Sequence, residues 1–273
     1  MPEGDVLRLT AERLDAALAG QVLTRAELRW PSAAAAHLVG ATVLGTVPYG
    51  KHLLTRFDDG RTLHTHLRME GRWRVDRTGS RGAAARSPAI RAVLGTRNWT
   101  CTGWQLGMLD LLATRDEPRI LAGLGPDVLA DRFAPDVPGS RLPDGVAALV
   151  RDPDRALCDA LLDQRTVAGL GTIWMAESLF ARRVYPWAPA GALGEDGATT
   201  LLLTARELMW RSIRVARRDG LGSVERAVHG RLGQPCRRCR TPIAVGTANE
   251  APFERPVFWC PNCQADRSRR TEA

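Results

Sequence analysis

The chain has 273 residues, 44% of them hydrophobic and 25% charged. That composition excludes whole-chain disorder and collagen-like structure, and the length suits two domains with cores of their own. Its longest apolar runs, 147–150 and 199–205, are far too short to span a bilayer. No charged, then apolar, then small-residue leader precedes the first helix pattern, so no secretory signal is expected.

From the amino end, Leu7, Ala11, Leu14 and Leu18 recur at helical spacing, and Gly20 stands where that helix should stop. Short strand-like pieces follow at 22–28, 42–47, 52–57, 61–67 and 72–75. Asp58, Asp59 and Gly60 supply a hairpin turn between two of them. Residues 76–89 read as a loop, and 93–101 and 105–112 as further strands. A helix followed by many short strands predicts a β-sandwich or barrel with the helix packed on it. Residues 134–145 hold three Pro and two Gly and read as an interdomain linker. Beyond it the period becomes helical. Asp154 is placed to cap a helix containing Leu157, Leu161 and Leu162, and helices are expected at 172–181 and 199–217. The last forty or so residues read as short strands around paired cysteines.

Six cysteines are arranged as two singles, Cys101 and Cys158, and two tight pairs. This layout fits a metal site in a reducing compartment, not a disulfide framework, and makes the cytoplasm the expected location. Cys236 and Cys239, then Cys260 and Cys263, form two CxxC knuckles separated by twenty residues. Zn²⁺ prefers four thiolates in a tetrahedron, so one structural zinc ion is expected there, with no organic cofactor. A redox role would need a thioredoxin-like βαβ pattern around a knuckle, and none surrounds either pair.

The net charge of +8 and pI near 9.9 point to a polyanionic partner. Residues 206–240 are the densest stretch, with ten Arg against Glu207, Asp219 and Glu225. Of 38 basic residues a single one, Lys51, is Lys. At the amino end stand Met1, Pro2, Glu3 and Gly4. Removal of Met1 would leave a secondary amine on Pro2, and an α-amine titrating at about 7.7–8.0 is partly nucleophilic at neutral pH. Glu3 would then serve as a general acid or base. Pro and Glu are equally at home in a first helical turn, so these residues alone leave both readings open.

Four stretches taken together resemble the Fpg/Nei family of bifunctional DNA glycosylases. They are Pro2 to Asp5; Gly50, Lys51, His52, Leu53 and Leu54; Leu161 to Gln164 with Val167 to Gly171; and the finger ending, Arg255 to Gln264. They fall in the family's order over nearly the whole chain. The first and last are more similar to the endonuclease VIII branch than to the 8-oxoguanine branch.

The resemblance implies an α+β fold. Its expected parts are a catalytic β-sandwich domain with the amino-terminal helix at 1–133, a helix–two-turn–helix DNA-binding domain at 134–232, and a zinc ribbon at 233–273. It implies that Pro2 attacks C1′ of a damaged nucleotide, that Glu3 protonates the sugar ring oxygen, and that Lys51 lies near the lesion and its phosphate. Excision followed by elimination at the 3′ and then the 5′ phosphate would need the nucleotide out of the stack. It further implies DNA contacts from Met69, which would fill the vacated space, from Gln164, Gly171 and Thr172 at the two-turn motif, and from Arg255 in the finger. The implied partner is damaged DNA, bound by a monomer away from membranes in a bacterial-type cytoplasm.

The chain also departs from the family's pattern. Thr172 stands where Asn usually follows the Gly-x-Gly, and His229 where Tyr commonly precedes Gly-Arg. The finger is longer than usual. Neither the Phe/Arg signature of the 8-oxoguanine branch in 95–112 nor its capping loop in 217–229 is present. A wider lesion pocket follows, favouring oxidised pyrimidines, hydantoins and abasic sites. A catalytically weak or abasic-site-restricted zinc-ribbon DNA-binding paralogue is the rival reading.

Overall fold

A computed structural model describes residues 2–84 and 86–266 of the chain, which divides into two compact units, 1–123 and 124–273. Met1, the first residue of the expected amino-terminal motif, lies outside the described residues, as does the end of the expected ribbon domain beyond 266.

The first unit is a helix on a β-sandwich. Helix α1 (Gly4–Leu18) starts immediately after Glu3, whose backbone carbonyl accepts the Val6 and Leu7 N–H groups. It stops before Gly20, which adopts φ +72°, a conformation that suits a residue without Cβ. Two antiparallel four-stranded sheets follow. One runs in the order β2 (Val43–Tyr49), β3 (His52–Phe57), β4 (Arg61–His66), β8 (Met108–Ala113). The other is β1 (Arg25–Leu28), β6 (Ile90–Gly95), β7 (Trp99–Trp104), β5 (Arg72–Arg77). Side chains alternate across each strand, so Leu53, Phe57, Leu63 and Leu109 from the first sheet meet Leu28, Ala92, Leu94 and Cys101 from the second. Leu7, Leu14 and Leu18 of α1 complete this core. Burial pushes the Cys101 thiol up to about 12, so this cysteine packs as an inert apolar residue.

The single strand expected over 93–101 is instead a hairpin of β6 and β7. Thr96 turns the chain by accepting the Trp99 N–H on Oγ1 at 3.1 Å, while its own N–H reaches the Trp99 carbonyl at 2.8 Å.

The second unit is helical and ends in a β-hairpin. A short helix, α2 (Glu117–Leu121), closes the first unit, so the break falls at 123/124 and not at the expected 133/134. The Pro- and Gly-rich stretch is part of the second unit for a packing reason. Phe133 is fully buried, and Gly145 approaches its ring so closely that a Cβ there would sit 3.2 Å from it. Pro143 lies in the first turn of α3 (Leu142–Val150), where its missing N–H costs nothing. Helices α4 (Leu157–Leu162), α5 (Thr172–Arg182) and α6 (Gly194–Asp219) follow. Ala156, not Asp154, occupies the N-cap of α4. Strands β9 (Ala244–Ala248) and β10 (Arg255–Trp259) form the terminal antiparallel pair.

The hairpin is fastened to the helices of the same unit rather than standing apart beyond 232. Gln264 donates to the Val184 carbonyl at 2.9 Å, Arg238 to the Phe180 carbonyl at 2.7 Å, and Trp187 to the Thr247 carbonyl at 2.8 Å. The Asn249 N–H reaches the Asp159 carboxylate at 2.7 Å. Among the described residues no helix is long and apolar enough to cross a membrane.

Candidate active site and metal centre

In the first unit, Glu3 is only 1% exposed and sits at the N-cap of α1, next to the half-buried Pro2. Lys51 is 6% exposed, although it lies in a two-residue hairpin loop where lysines are usually solvated. The loop consists of Gly50 and Lys51, flanked by the paired Tyr49 and His52. Gly50 adopts φ +55°, which the first position of a primed hairpin turn requires. Burial of an ammonium and a carboxylate in this unit is expensive unless both have partners, and both do.

Met69 stands in the turn after β4. The Gly71 N–H closes this turn on the Leu67 carbonyl at 2.9 Å. A Cβ at residue 71 would lie 2.3 Å from that oxygen, so glycine is obligatory. Arg68 is held at φ +52°, and Met69 is 65% exposed. Met69 is therefore an exposed apolar side chain on a turn and not a core residue.

Three histidines to which the sequence assigned no role lie between these two turns. His52 Nδ1 and His64 Nε2 are 2.8 Å apart, with the rings stacked at 5.0 Å. His66 meets the His52 ring edge-on, also at 5.0 Å. Burial is the main cause that pushes all three imidazoles down to about 4. The signal was available: His64 and His66 are two apart on one strand and so share a face. Only the β3–β4 register, which pairs His52 with His66 and Leu54 with His64, brings the third ring to them.

In the second unit, Gly171 caps α5 and Thr172 begins it. The amino-terminal end of that helix carries partial positive charge suited to an anion. Gln164 does not present a free amide. Its Nε2 donates to the Leu162 and Leu170 carbonyls, at 3.1 and 2.9 Å, and its Oε1 accepts the Gly169 N–H at 3.1 Å. Its amide therefore shapes the turn that presents Gly171 and Thr172. Asp163 is paired with Arg165 and Arg155, and its carboxyl is held well below the usual range, chiefly by the Arg165 hydrogen bond. Arg255, at the start of β10, is exposed and donates to the carbonyls of Phe253 and Glu254.

Several arginines of the Arg-dense stretch 206–240 bond within the protein. Arg206 donates to the Val128 and Ala130 carbonyls, and Arg231 to those of Ala227 and Pro235. Arg238 holds the α5 terminus, while Arg218 and Arg237 pair with Asp219 and Glu225. Guanidinium forks suit such internal carbonyl and carboxylate bonds, so much of the charge density there builds the fold.

The Sγ atoms of Cys236, Cys239, Cys260 and Cys263 all lie within 4.8 Å of one another. Cys236 and Cys263 are 3.9 Å apart, and Cys239 and Cys260 3.4 Å. A tetrahedral zinc with Zn–S bonds of about 2.3 Å requires sulfur–sulfur distances of about 3.8 Å. The Arg238 and Cys263 amides point at Cys236 Sγ and Cys260 Sγ, both at 3.4 Å. Four thiolates leave no open coordination position, so the donor set fits a structural ion.

Comparison with known proteins agrees with this geometry. Residues 1–105 match the model of the formamidopyrimidine-DNA glycosylase N-terminal domain, and 124–221 that of the formamidopyrimidine-DNA glycosylase H2TH domain. A Streptomyces coelicolor protein named "Probable endonuclease 8 2" is 44% identical over 99% of this chain and 96% of its own length. The Mycolicibacterium smegmatis protein named DNA-(apurinic or apyrimidinic site) lyase Nei2 is 39% identical over 97% of this chain and 99% of its own length. Among solved structures, Lactococcus lactis formamidopyrimidine-DNA glycosylase, noncovalently bound to DNA containing an abasic site, has the same fold. Its TM-score is 0.80 at 21% identity, covering 97% of this chain and 100% of that one.

Proposed function

The chain belongs to the Fpg/Nei family of DNA glycosylases with abasic-site lyase activity, and we propose that it is a repair enzyme of endonuclease VIII type. On this reading it removes oxidised pyrimidines and hydantoins from DNA and cuts at the resulting abasic sites. The observation that carries the reading is the near-complete burial of Glu3 beside Pro2 at the start of α1. A carboxylate at a helix start is stabilised without being buried, and burial adds a desolvation cost, whereas a proton donor beside a nucleophilic amine works best when shielded from water.

The chemistry follows from these groups. With Met1 removed, the Pro2 nitrogen attacks C1′ of the flipped nucleotide. The ring oxygen takes a proton from Glu3, the sugar opens and the base departs with a proton. Nitrogen then shares a double bond with C1′ as a cationic Schiff base. Loss of a C2′ proton expels the 3′ phosphate; a second elimination expels the 5′ phosphate. Lys51 supplies a compact positive charge at the lesion, Met69 enters the space the nucleotide left, and Gly171, Thr172 and Arg255 hold backbone phosphates. A bound zinc ion would fix the ribbon that presents Arg255 through Cys236, Cys239, Cys260 and Cys263.

Borohydride trapping tests the proposal. Incubation with a duplex holding one abasic site should give a covalent adduct on the peptide beginning at Pro2, and mass spectrometry should show Met1 absent. Tight binding without adduct or strand cut would return the chain to the noncatalytic DNA-binding reading. An adduct on Lys51 would overturn the choice of nucleophile.

A further inference from the structure

We propose that His52, His64 and His66 are a positioning relay that fixes the Lys51 turn relative to the Met69 turn. The inference rests on the glycosylase reading and assigns residues that reading does not use. His52 follows Lys51 directly, and its ring carries the hydrogen bond to His64. His66 stands against the same ring, and its Nδ1 accepts the Arg68 N–H at 2.9 Å. That bond holds Arg68 in the left-handed conformation that lifts Met69. A continuous chain of three imidazoles therefore joins one lesion-facing turn to the other.

All three rings lie on one face of the sheet. Leu53, Phe57 and Leu63, which take the other face, are in the sandwich core. The hydrophobic core therefore does not require histidine at these positions. A stacked pair of rings sharing one proton can exist only when at least one ring is neutral, and its bond fixes which nitrogen carries hydrogen. The charged groups around it act in opposite directions. Lys51 and Arg68 disfavour a proton on His52 and His66, while Glu117 favours one on His64. Asp110 pairs with His64 across β4 and β8, and Tyr49 with His52 across the hairpin. His64 Nδ1 is buried without a hydrogen-bond partner, a cost that a merely space-filling residue such as Leu would avoid.

The test compares His64→Leu, which fills the space, with His64→Gln, whose amide replaces Nε2 and restores the bond to His52. Single-turnover rates are measured on two duplexes, one with 5-hydroxyuracil and one with a ready-made abasic site. His64→Leu should slow base excision by about 10- to 100-fold, the size of effect that a small misplacement of reacting groups produces. It should slow abasic-site cleavage less, and His64→Gln should recover most of the loss. Adding Lys51→Arg to His64→Leu should cost little more than Lys51→Arg alone, because both act at one turn. Full activity of His64→Leu, or no recovery in His64→Gln, would overturn the relay. A wild-type protein that cuts neither duplex would overturn the glycosylase reading itself, and the relay with it. Nitrogen-15 imidazole spectra give a readout independent of activity. Three neutral rings with fixed tautomers at pH 6 support the relay, and ordinary titration of all three near 6.5 overturns it.

Discussion

Glu177 and His229, 52 positions apart in the chain, are joined by a hydrogen bond of 2.9 Å from the His229 backbone N–H to Glu177 Oε1. The same carboxylate accepts the Val228 N–H on Oε1 and the Ala227 N–H on Oε2, at 3.0 and 2.7 Å. One side chain of α5 thus orders the segment that leads into the ribbon, and the His229 ring then packs edge-on against Phe258 of β10 at 4.9 Å. The imidazole stands where the family usually has Tyr, and burial pushes it down to about 4.

Three donors converging on two oxygens require a carboxylate. Glu177→Gln keeps the shape but turns an NH₂ group toward at least one N–H, leaving buried donors unpaired. Each such orphan costs about 1–3 kcal/mol. Urea unfolding should show a loss in that range, with faster proteolytic cleavage in residues 220–230. Unchanged stability would show that the segment is held by the ring contact alone.

Metal removal should act on the same part of the molecule. Chelation, or Cys239→Ser, should release one zinc per chain and loosen the bonds from Arg238 and Gln264 to the end of α5. DNA affinity should fall while the first unit, with its own core, keeps its far-ultraviolet signal. Stoichiometric iron, or metal-free protein with full DNA affinity, would refute a structural zinc.

Much of this architecture is legible in the sequence because local rules and packing agree there. Leu7, Ala11, Leu14 and Leu18 mark the buried face of α1, and β3 occupies the residues that alternation assigns. Reading failed where one cue served two structures. Pro143 resembles a linker residue yet starts a helix. Thr96 turns a strand back without Gly or Pro. Several arginines between 206 and 240 carry the right chemistry for DNA yet bond to the protein's own carbonyls and carboxylates. The histidine cluster depends on strand register, which no single strand reveals.

Acid should destabilise the protein in a defined window. His52, His64, His66 and His229 all titrate near 4 when folded, against an ordinary 6.5. Between those values the unfolded chain binds protons that the folded chain refuses. Stability is therefore fully present above pH 6.5 and is lost as the pH falls toward 4. Each fully shifted histidine contributes a slope of at most about 1.4 kcal/mol per pH unit. Melting temperatures at pH 7.5 and 5.5 should differ clearly, and His64→Gln should narrow the gap. An equal gap in the variant would show that His64 takes up its proton in the folded state.

Salt dependence separates contacting arginines from structural ones. Each phosphate contact contributes a slope of about −0.9 in log affinity against log salt on duplex DNA. The exposed Arg255 has no carboxylate partner among the described residues, so Arg255→Ala should flatten the slope by roughly one unit. Arg206→Ala should leave the slope unchanged and instead lower stability, because its bonds run to the Val128 and Ala130 carbonyls. The opposite pattern would exchange their roles.

The solitary lysine provides the sharpest discrimination. Lys51 is buried in a primed turn whose backbone is set by Gly50, so a longer planar guanidinium must shift the turn or its neighbours. Lys51→Arg preserves the charge, hence long-range attraction to DNA should persist and the dissociation constant should change less than threefold or so. Base excision depends on where the charge sits relative to the damaged nucleotide, so its single-turnover rate should fall about 100-fold. Cleavage of a ready-made abasic site, which needs no base to be held or expelled, should fall much less. Equal losses on the two substrates would confine Lys51 to gripping the backbone. An unaltered rate on both would mean that an amine at this position is an accident of sequence.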